Sequence, residues 1–319
     1  MLKTEDFKNA GRGVLMGAAD IVPGVSGGTV ALVLGIYNRL VTAISRIDRT
    51  ALRHVLDRRW KDAAEHVDLR FLISLGIGIG SGIAGLAFLM HYLLEHQLQF
   101  TFAVFSGLIL GSGLLVARSI DRWSPAAGIM FVAGIAFAWC VVGLSALQNA
   151  PEGLWYLFLC GSIGICAMIL PGISGAFILL ILSRYDHVTG LIRDVLRGNW
   201  SVETFLAIGV FCAGCLFGLL AFSRVLRWLL QKFPQNTLAL LCGFMIGSLR
   251  KLWPFKHDLT PDVEKFKLKQ FENYWPTTFD GQTLLTILLF AAALALLLSF
   301  ERLSRRKDSE QPSLEAPPA

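Results

Sequence analysis

Charge is what this sequence has least of. Of its 319 residues only 16% are Asp, Glu, Lys or Arg, against about 25% in a typical soluble domain. The deficit is concentrated. Between Phe71 and Ala117 the single Asp, Glu, Lys or Arg is Glu95, and between Trp123 and Ser183 it is Glu152. A spanning helix needs roughly 20 mostly apolar residues. These runs therefore exclude a soluble globular enzyme, and the length leaves room for about six to eight crossings. The runs do not alternate polar with apolar residues, which excludes a β-barrel.

Other absences narrow the function. Cys140, Cys160, Cys166, Cys212, Cys215 and Cys242 all lie in apolar stretches. They read as small packing residues, including the CxxC formed by Cys212 and Cys215. No spacing of His, Cys, Asp or Glu points to a metal site, and no cofactor motif is present, so neither metal nor cofactor is expected. The net charge is +6, yet the basic residues cluster in Arg39–Arg70, Arg250–Lys269 and Arg302–Lys307, between or after apolar runs. Such clusters report membrane orientation and contact with anionic lipid, not nucleic acid. A signal peptide is not expected, because Asp20 and Pro23-Gly24 interrupt the first apolar stretch.

What the sequence does have is an internal repeat. Val22-Pro-Gly-Val-Ser-Gly-Gly28 returns as Leu170-Pro-Gly-Ile-Ser-Gly-Ala176, and Tyr37 returns in step as Tyr185. The run Gly76–Phe88 resembles Gly209–Ala221, pairing Gly85 with Gly218, and Ser106–Ser112 resembles Cys242–Ser248. The last helix of each half shows no match. Gly76 with Gly80, Gly107 with Gly111, Gly214 with Gly218 and Gly243 with Gly247 are GxxxG pairs, expected to let helices approach closely.

The Pro-Gly-x-Ser-Gly segments cannot be plain helix, because Pro lacks the N–H and Gly admits unusual backbone angles. Irregular backbone survives at membrane depth only inside protein or along a wet cavity. Each segment is thus a broken spanning helix or a re-entrant hairpin. The Lys and Arg distribution does not separate the two. The re-entrant version keeps both basic termini cytoplasmic. It also gives each half an odd number of crossings, hence an inverted repeat as in many transporters. The expected fold is an all-α polytopic membrane protein of two inverted repeats, each a re-entrant helical hairpin with a PGxSG tip plus three transmembrane helices. The first repeat, 1–148, has its re-entrant segment at 13–38, a cytoplasmic interfacial helix at about 46–67, and transmembrane helices at 71–95, 100–118 and 125–148. The second, 149–303, has its re-entrant segment at 154–183, transmembrane helices at 204–231, 236–253 and 283–300, and a periplasmic loop at 254–282 whose aromatics sit near headgroups. Residues 304–319 form a tail expected to be disordered.

Two tips meeting in the membrane bring Gly24, Ser26, Gly27, Gly28 and Thr29 close to Gly172, Ser174 and Gly175. Helix N-termini after Gly-rich turns offer N–H groups, and with three hydroxyls they form a neutral anion cradle suited to phosphate. Intramembrane ionisable residues are functional candidates by default. His91 and Glu95 share a helix face and can carry a proton. His91 falls opposite Arg224 in the repeat, and Arg224 can pair with a phosphate. Each of these three can also snorkel to water from a helix end. Asp20 and Arg12 precede the first tip, where Asp20 can orient it. Arg39 and Arg184 follow the tips and serve either a lipid phosphate or interfacial anchoring. Gly24-Val-Ser26-Gly-Gly28 matches the G-x-S-x-G nucleophile elbow, but the strand–turn–helix context is missing and the second copy breaks at Ala176.

Taken together, Arg12-Gly13, Met16-Gly17, Asp20, Pro23 through Thr29, Gly35-Ile36-Tyr37 and Pro171-Gly-Ile-Ser-Gly175 resemble the bacterial polyprenyl-phosphate translocase family, over roughly residues 5–300. The resemblance implies a non-enzymatic inner-membrane protein. It would move undecaprenyl phosphate from the outer to the inner leaflet and recycle the carrier for peptidoglycan and other envelope polymers. Its partners would be that lipid and the surrounding membrane lipids. Oligomeric state is left open. Two positions depart from the pattern: Ala176 replaces a small hydroxyl residue, and Ser183-Arg184 replaces Gly plus an apolar residue. Undecaprenyl-pyrophosphate phosphatases are the nearest alternative. Their Pro-Gly-x-Ser continues with Arg-Ser and they carry paired glutamates; here Gly27-Gly28 stands in that place and no such pair occurs. An ion or small-molecule secondary transporter is the third reading.

Overall fold

The computed structural model describes residues 4–21, 26–144, 146–147, 150–198, 201–263 and 269–310, with the side chains of Ala87, His91, Leu196 and 300–310 left aside. The chain is mostly helical. In the first half, α1 (Thr4–Ile21) leads to the short α2 (Gly27–Val33) and to α3 (Tyr37–Ser45). Two surface helices follow, α4 (Arg49–Leu56) and α5 (Trp60–His66), then the long α6 (Leu69–His96), α7 (Leu98–Arg118) and α8 (Pro125–Val142). The second half repeats the order with α9 (Leu154–Ile169), α10 (Gly175–Ile181), α11 (Tyr185–Leu196), α12 (Val202–Lys232), α13 (Pro234–Leu252) and α14 (Gly281–Glu310). Between α13 and α14 the strands β1 (Lys256–Asp258) and β2 (Phe271–Asn273) pair antiparallel, Lys256 opposite Asn273.

Among the described residues five helices are long and apolar enough to cross a membrane, α6, α7, α8, α12 and α14, or up to seven if the bent pairs α2–α3 and α10–α11 each count as a span. Just over half of α7 is buried, whereas the spanning windows of α12 and α14 are 11% and 17% buried. The amphipathic segment 46–67, predicted as one helix, is two, broken where Arg58 takes a positive φ of 56°. The loop predicted over 254–282 contains the small hairpin. Residues 304–310 continue α14 as helix where disorder was expected.

The glycine contacts reveal how the halves correspond. A Cβ on Gly78 or Gly82 of α6 would strike the Ala10 or Val14 carbonyl of α1, at 2.1 and 2.3 Å. A Cβ on Gly214 or Gly218 of α12 would strike the Phe158 or Ser162 carbonyl of α9, at 2.2 and 2.4 Å. Gly76, Gly80 and Gly85 meet nothing within 4 Å. The packing pair of α6 is thus Gly78 with Gly82, two residues on from Gly76 with Gly80 and on the opposite face of the helix. The alignment moves with it: His91 pairs with Arg227, not with Arg224.

The same logic recovers the helices that share no sequence signal. Gly107 of α7 abuts the Phe290 carbonyl of α14, and Gly243 of α13 abuts the Phe131 carbonyl of α8. Gly111 then meets Leu294 and Leu297 where Gly247 meets Ile135 and Ala138. Each half's last helix packs on the other half's middle helix, and the two middle helices, α7 and α13, pack together at the centre. Their side chains Ile109, Leu241, Met245 and Leu252 are among the largest fully buried ones, with Tyr37 and Val41 of α3 and Phe71 and Leu75 of α6.

The match is incomplete around the short helices. α2 packs chiefly on α1 as α10 does on α9, but α2 also reaches α7 of its own half and α3 packs on α12 of the other half, whereas α11 packs on α12 of its own half. The second segment is an antiparallel hairpin: Gly175 lies against Met168, Leu179 against Gly164, and the Tyr156 hydroxyl donates to the Leu182 carbonyl at 3.0 Å. Both short helices then bend sharply into the next, by 118° and 112°. Gly35 supplies the left-handed residue at the first bend and Ser183, φ 53°, at the second. A side chain there costs about 1–2 kcal/mol, and the Ser183 hydroxyl donates to the Leu147 carbonyl.

Candidate functional site

The described end of the first Pro-Gly-x-Ser-Gly segment and the helices after it hydrogen-bond to the backbone around the second segment. Ser26 caps α2, its hydroxyl accepting from the Gly28 N–H at 3.1 Å and donating to the Met168 carbonyl at 3.0 Å. The Gly172 N–H donates to the Thr29 hydroxyl at 2.9 Å, and the Tyr37 hydroxyl donates to the Ile169 carbonyl at 3.1 Å. A Cβ on Gly28 would stand 2.5 Å from that same carbonyl. Gly172 has φ 86°, and a Cβ there would meet the Phe244 carbonyl at 2.8 Å. Gly175 has no room for a Cβ beside Met168 and Gly164. Ser26, Gly28, Thr29 and Gly172 therefore clamp one segment to the other. Two of the three hydroxyls expected in a phosphate cradle are committed to this clamp. α2 and α10 span about two turns each, so the expected dipole contribution is small.

Beside the clamp lies a small cavity of about 40 Å³. Asp20, Ile21, Phe102, Ser174, Ala176, Phe177, Leu180, Phe271 and three lysines, Lys251, Lys256 and Lys269, line it. Six of these residues, all three lysines among them, also line a broad vestibule of about 1110 Å³. Arg250, Trp139, Trp253, Tyr274, Trp275, Asn273, Asp186 and Glu272 stand in its polar and aromatic wall. The two thus share the three lysines, while Ser174 and Asp20 line the recess and not the vestibule.

Each lysine is held differently. The Lys251 ammonium sits 4.4 Å over the Phe177 ring. Lys256 donates to Asn273 Oδ1 at 2.6 Å across the β1–β2 ladder. Lys269 pairs with Asp258 at 2.7 Å. Burial, with the Lys251 and Arg250 charges adding to it, pushes the Lys256 ammonium down to about 8. A positively charged group with a destabilised charge gains most from an incoming anion. Asp20 Oδ1 accepts the Gly27 N–H at 2.6 Å, which holds the carboxylate against the start of α2.

Of the residues singled out from sequence, Ser174 and Asp20 line the recess, and Ser26, Gly27, Gly28, Thr29, Gly172 and Gly175 build the crossing beside it. The remaining cations are not among its lining residues. Arg39 is paired with Asp68 at 2.7 Å and stacked on Phe71. Arg184 donates to the Pro151 carbonyl and lies over Tyr156. Arg224 donates to the Ile47 and Leu220 carbonyls, and Arg12 to Asn9 Oδ1. Glu95 is exposed near the end of α6. Gly24 and the His91 side chain lie outside the described residues. The three lysines were visible only as part of the basic run Arg250–Lys269, read as an orientation signal. Two three-residue strands, too short to announce themselves, fold that run over the second hairpin.

The recess thus gathers three lysines and Ser174 beside the Ser26–Gly172 clamp. The model of the undecaprenyl phosphate translocase-like family matches residues 16–269. The chain belongs to this family. It is 37% identical over 304 residues to a polyprenyl-phosphate transporter of Vibrio cholerae serotype O1, covering 92% of this chain and 96% of that one. It is 33% identical over 267 residues to a polyprenyl-phosphate transporter of Staphylococcus aureus, covering 78% of this chain and 88% of that one. No solved structure matches it.

Proposed function

We propose that the chain carries undecaprenyl phosphate from the outer to the inner leaflet of a bacterial cytoplasmic membrane, returning the lipid to envelope polymer synthesis. The observation that carries this reading is the convergence of three lysines and the Ser174 hydroxyl on one recess at the end of an aromatic vestibule. A phosphate monoester bears about −1.5 to −2 charges at neutral pH and offers three strong acceptor oxygens. Ammonium and hydroxyl donors meet it with charge-assisted hydrogen bonds. The aromatic wall suits a headgroup that arrives from the membrane interface while its isoprenoid tail remains in lipid.

In this reading the two hairpins are re-entrant, the repeats are inverted, the β1–β2 hairpin is periplasmic and both termini are cytoplasmic. The recess is one-sided in sequence as well. Aligning Gly243 of α13 with Gly107 of α7 puts Leu115 where the second half has Lys251. A capture site with charge on one face only supports pick-up at the outer leaflet and release at a less basic inner face. Transport without hydrolysis agrees with relatives named as transporters.

The test is reconstitution in liposomes, following undecaprenyl phosphate between leaflets and phosphate release from the diphosphate form. Wild-type protein is expected to translocate without releasing phosphate, and Lys251→Ala with Ser174→Ala to abolish translocation. Phosphate release would make the protein an enzyme. Full translocation by the double variant would move the headgroup site elsewhere.

A further inference from the structure

The recess lies where the repeat would put a second clamp. At the constant spacing that sets Ser174 on Ser26 and Tyr185 on Tyr37, the mates of Met168, Ile169, Ser26, Gly28 and Thr29 are Asp20, Ile21, Ser174, Ala176 and Phe177. The first five belong to the clamp. The second five all line the recess. Ser26 caps α2 and donates to the Met168 carbonyl, whereas Ser174 makes no capping bond to α10. Tyr37 is fully buried on the Ile169 carbonyl, whereas Tyr185 stands in the vestibule wall. The helices divide in the same way. α2 reaches α9 and α3 packs on α12, both across to the second half, whereas α10 and α11 pack on α9 and α12 of their own half. One clamp is therefore made and its mate stands parted. One residue pair favours this inequality. Gly28 lets the Ile169 carbonyl come to where a Cβ would stand 2.5 Å away. Its mate Ala176 carries that Cβ, so an equally close approach of the Ile21 carbonyl meets a methyl group.

We propose that the two clamps are alternate gates, one shut while the other is open. In the second state Ser174 donates to the Asp20 carbonyl and Tyr185 to the Ile21 carbonyl, which shuts the recess, while Ser26, Thr29 and Tyr37 let go of the second segment. This rests on the transport and headgroup reading given above. A serine hydroxyl has one proton to donate. Ser174 gives it to the phosphate while the recess is open and to a backbone carbonyl when it is shut, and Ser26 is then released to meet the phosphate on the other side of the crossing. Equivalent bonds are exchanged between the states, so small changes in either clamp shift the populations.

The experiment reads the gates by hydrogen exchange of the ligand-free full chain in nanodiscs. It reads the recess by undecaprenyl phosphate affinity from tryptophan fluorescence, since Trp139, Trp253 and Trp275 line the vestibule. Ala176→Gly touches no atom of the closed clamp. It is expected to speed exchange in residues 26–37, to slow it in 174–185, and to weaken phosphate binding about twofold or more although it widens the recess. Tyr37→Phe removes one clamp bond and is expected to move both segments the same way and to weaken binding about two- to tenfold. A merely structural Tyr37 would loosen 26–37 and leave 174–185 unchanged. Tyr37→Phe carries the test alone if Ala176→Gly fails to fold. Exchange that changes only in the altered segment, in whichever variants fold, overturns the gates. Lys251→Ala is expected to weaken binding and leave the ligand-free exchange pattern as it is. Binding indifferent to Lys251→Ala overturns the headgroup reading, and the exchange pattern still decides the gates.

Discussion

Replacing Lys251 by alanine takes one of three ammonium groups from the recess without stranding a carboxylate, because its only described contact is the Phe177 ring at 4.4 Å. The fold should therefore survive. A hydrogen bond to a charged group contributes about 1.5–3 kcal/mol, which corresponds to roughly a 10- to 150-fold rise in the Kd for undecaprenyl phosphate. The bare Coulomb attraction is larger, about 4 kcal/mol per charge pair at 4 Å near a protein surface, but desolvation of both ions offsets much of it. Lys251→Arg keeps the charge and should recover part of the affinity. Lys8→Ala, which removes a lysine of the same charge paired with Glu5 on the exposed face of α1, is the control and should change binding less than about twofold. The assay is tryptophan fluorescence or calorimetry in nanodiscs at fixed salt, because exposed charges are screened and buried ones much less. A Lys251→Ala Kd within twofold of wild type would refute the assignment.

Three further outcomes follow from the geometry. Because burial holds the Lys256 ammonium at about 8, a phosphate that needs it charged should bind progressively less well as pH rises through 8; Lys256→Gln should flatten that profile, measured as Kd between neutral and alkaline pH. Gly78→Ala drives a Cβ to 2.1 Å of the Ala10 carbonyl and should lower stability by about 1–3 kcal/mol, whereas Gly76→Ala meets open space and should be neutral or gain up to about 1 kcal/mol of helix propensity; thermal unfolding in detergent distinguishes them. Thr29→Val removes the acceptor of the Gly172 N–H, leaving a buried donor unsatisfied at a cost of about 1–3 kcal/mol, visible as a lower Tm with the lysines untouched.

The architecture was largely legible because proline and glycine leave marks that apolar context cannot mimic. Two copies of Pro-Gly-x-Ser-Gly, each followed in step by a tyrosine, gave the duplication and the place where the segments meet. The packing pair on α6 was not legible, since Gly76, Gly78, Gly80 and Gly82 alternate along the sequence and put a GxxxG pair on each of two opposite helix faces, of which only the presence of α1 selects one. Nor was the kinship of α8 with α14. Each offers a backbone carbonyl to a glycine on the opposite half, and any apolar side chain around that carbonyl serves, so no residue identity is demanded. Ser26 and Thr29 carried the right signal for a functional crossing and the wrong one for a free hydroxyl, because their partners are backbone atoms more than a hundred residues away. The lysines escaped for the same reason in reverse. Lys251 ends a helix, Lys256 and Lys269 sit around a hairpin, and nothing in their spacing says that one recess gathers them.

The most direct test of the account is the position of the phosphate itself, determined by cryo-electron microscopy of the chain in nanodiscs loaded with undecaprenyl phosphate. The account predicts phosphate density within hydrogen-bond distance of the Ser174 hydroxyl and at least one of Lys251 and Lys256, with the isoprenoid chain leaving through the vestibule. Density against Arg224, Arg39 or Arg184, with the recess empty, would contradict it.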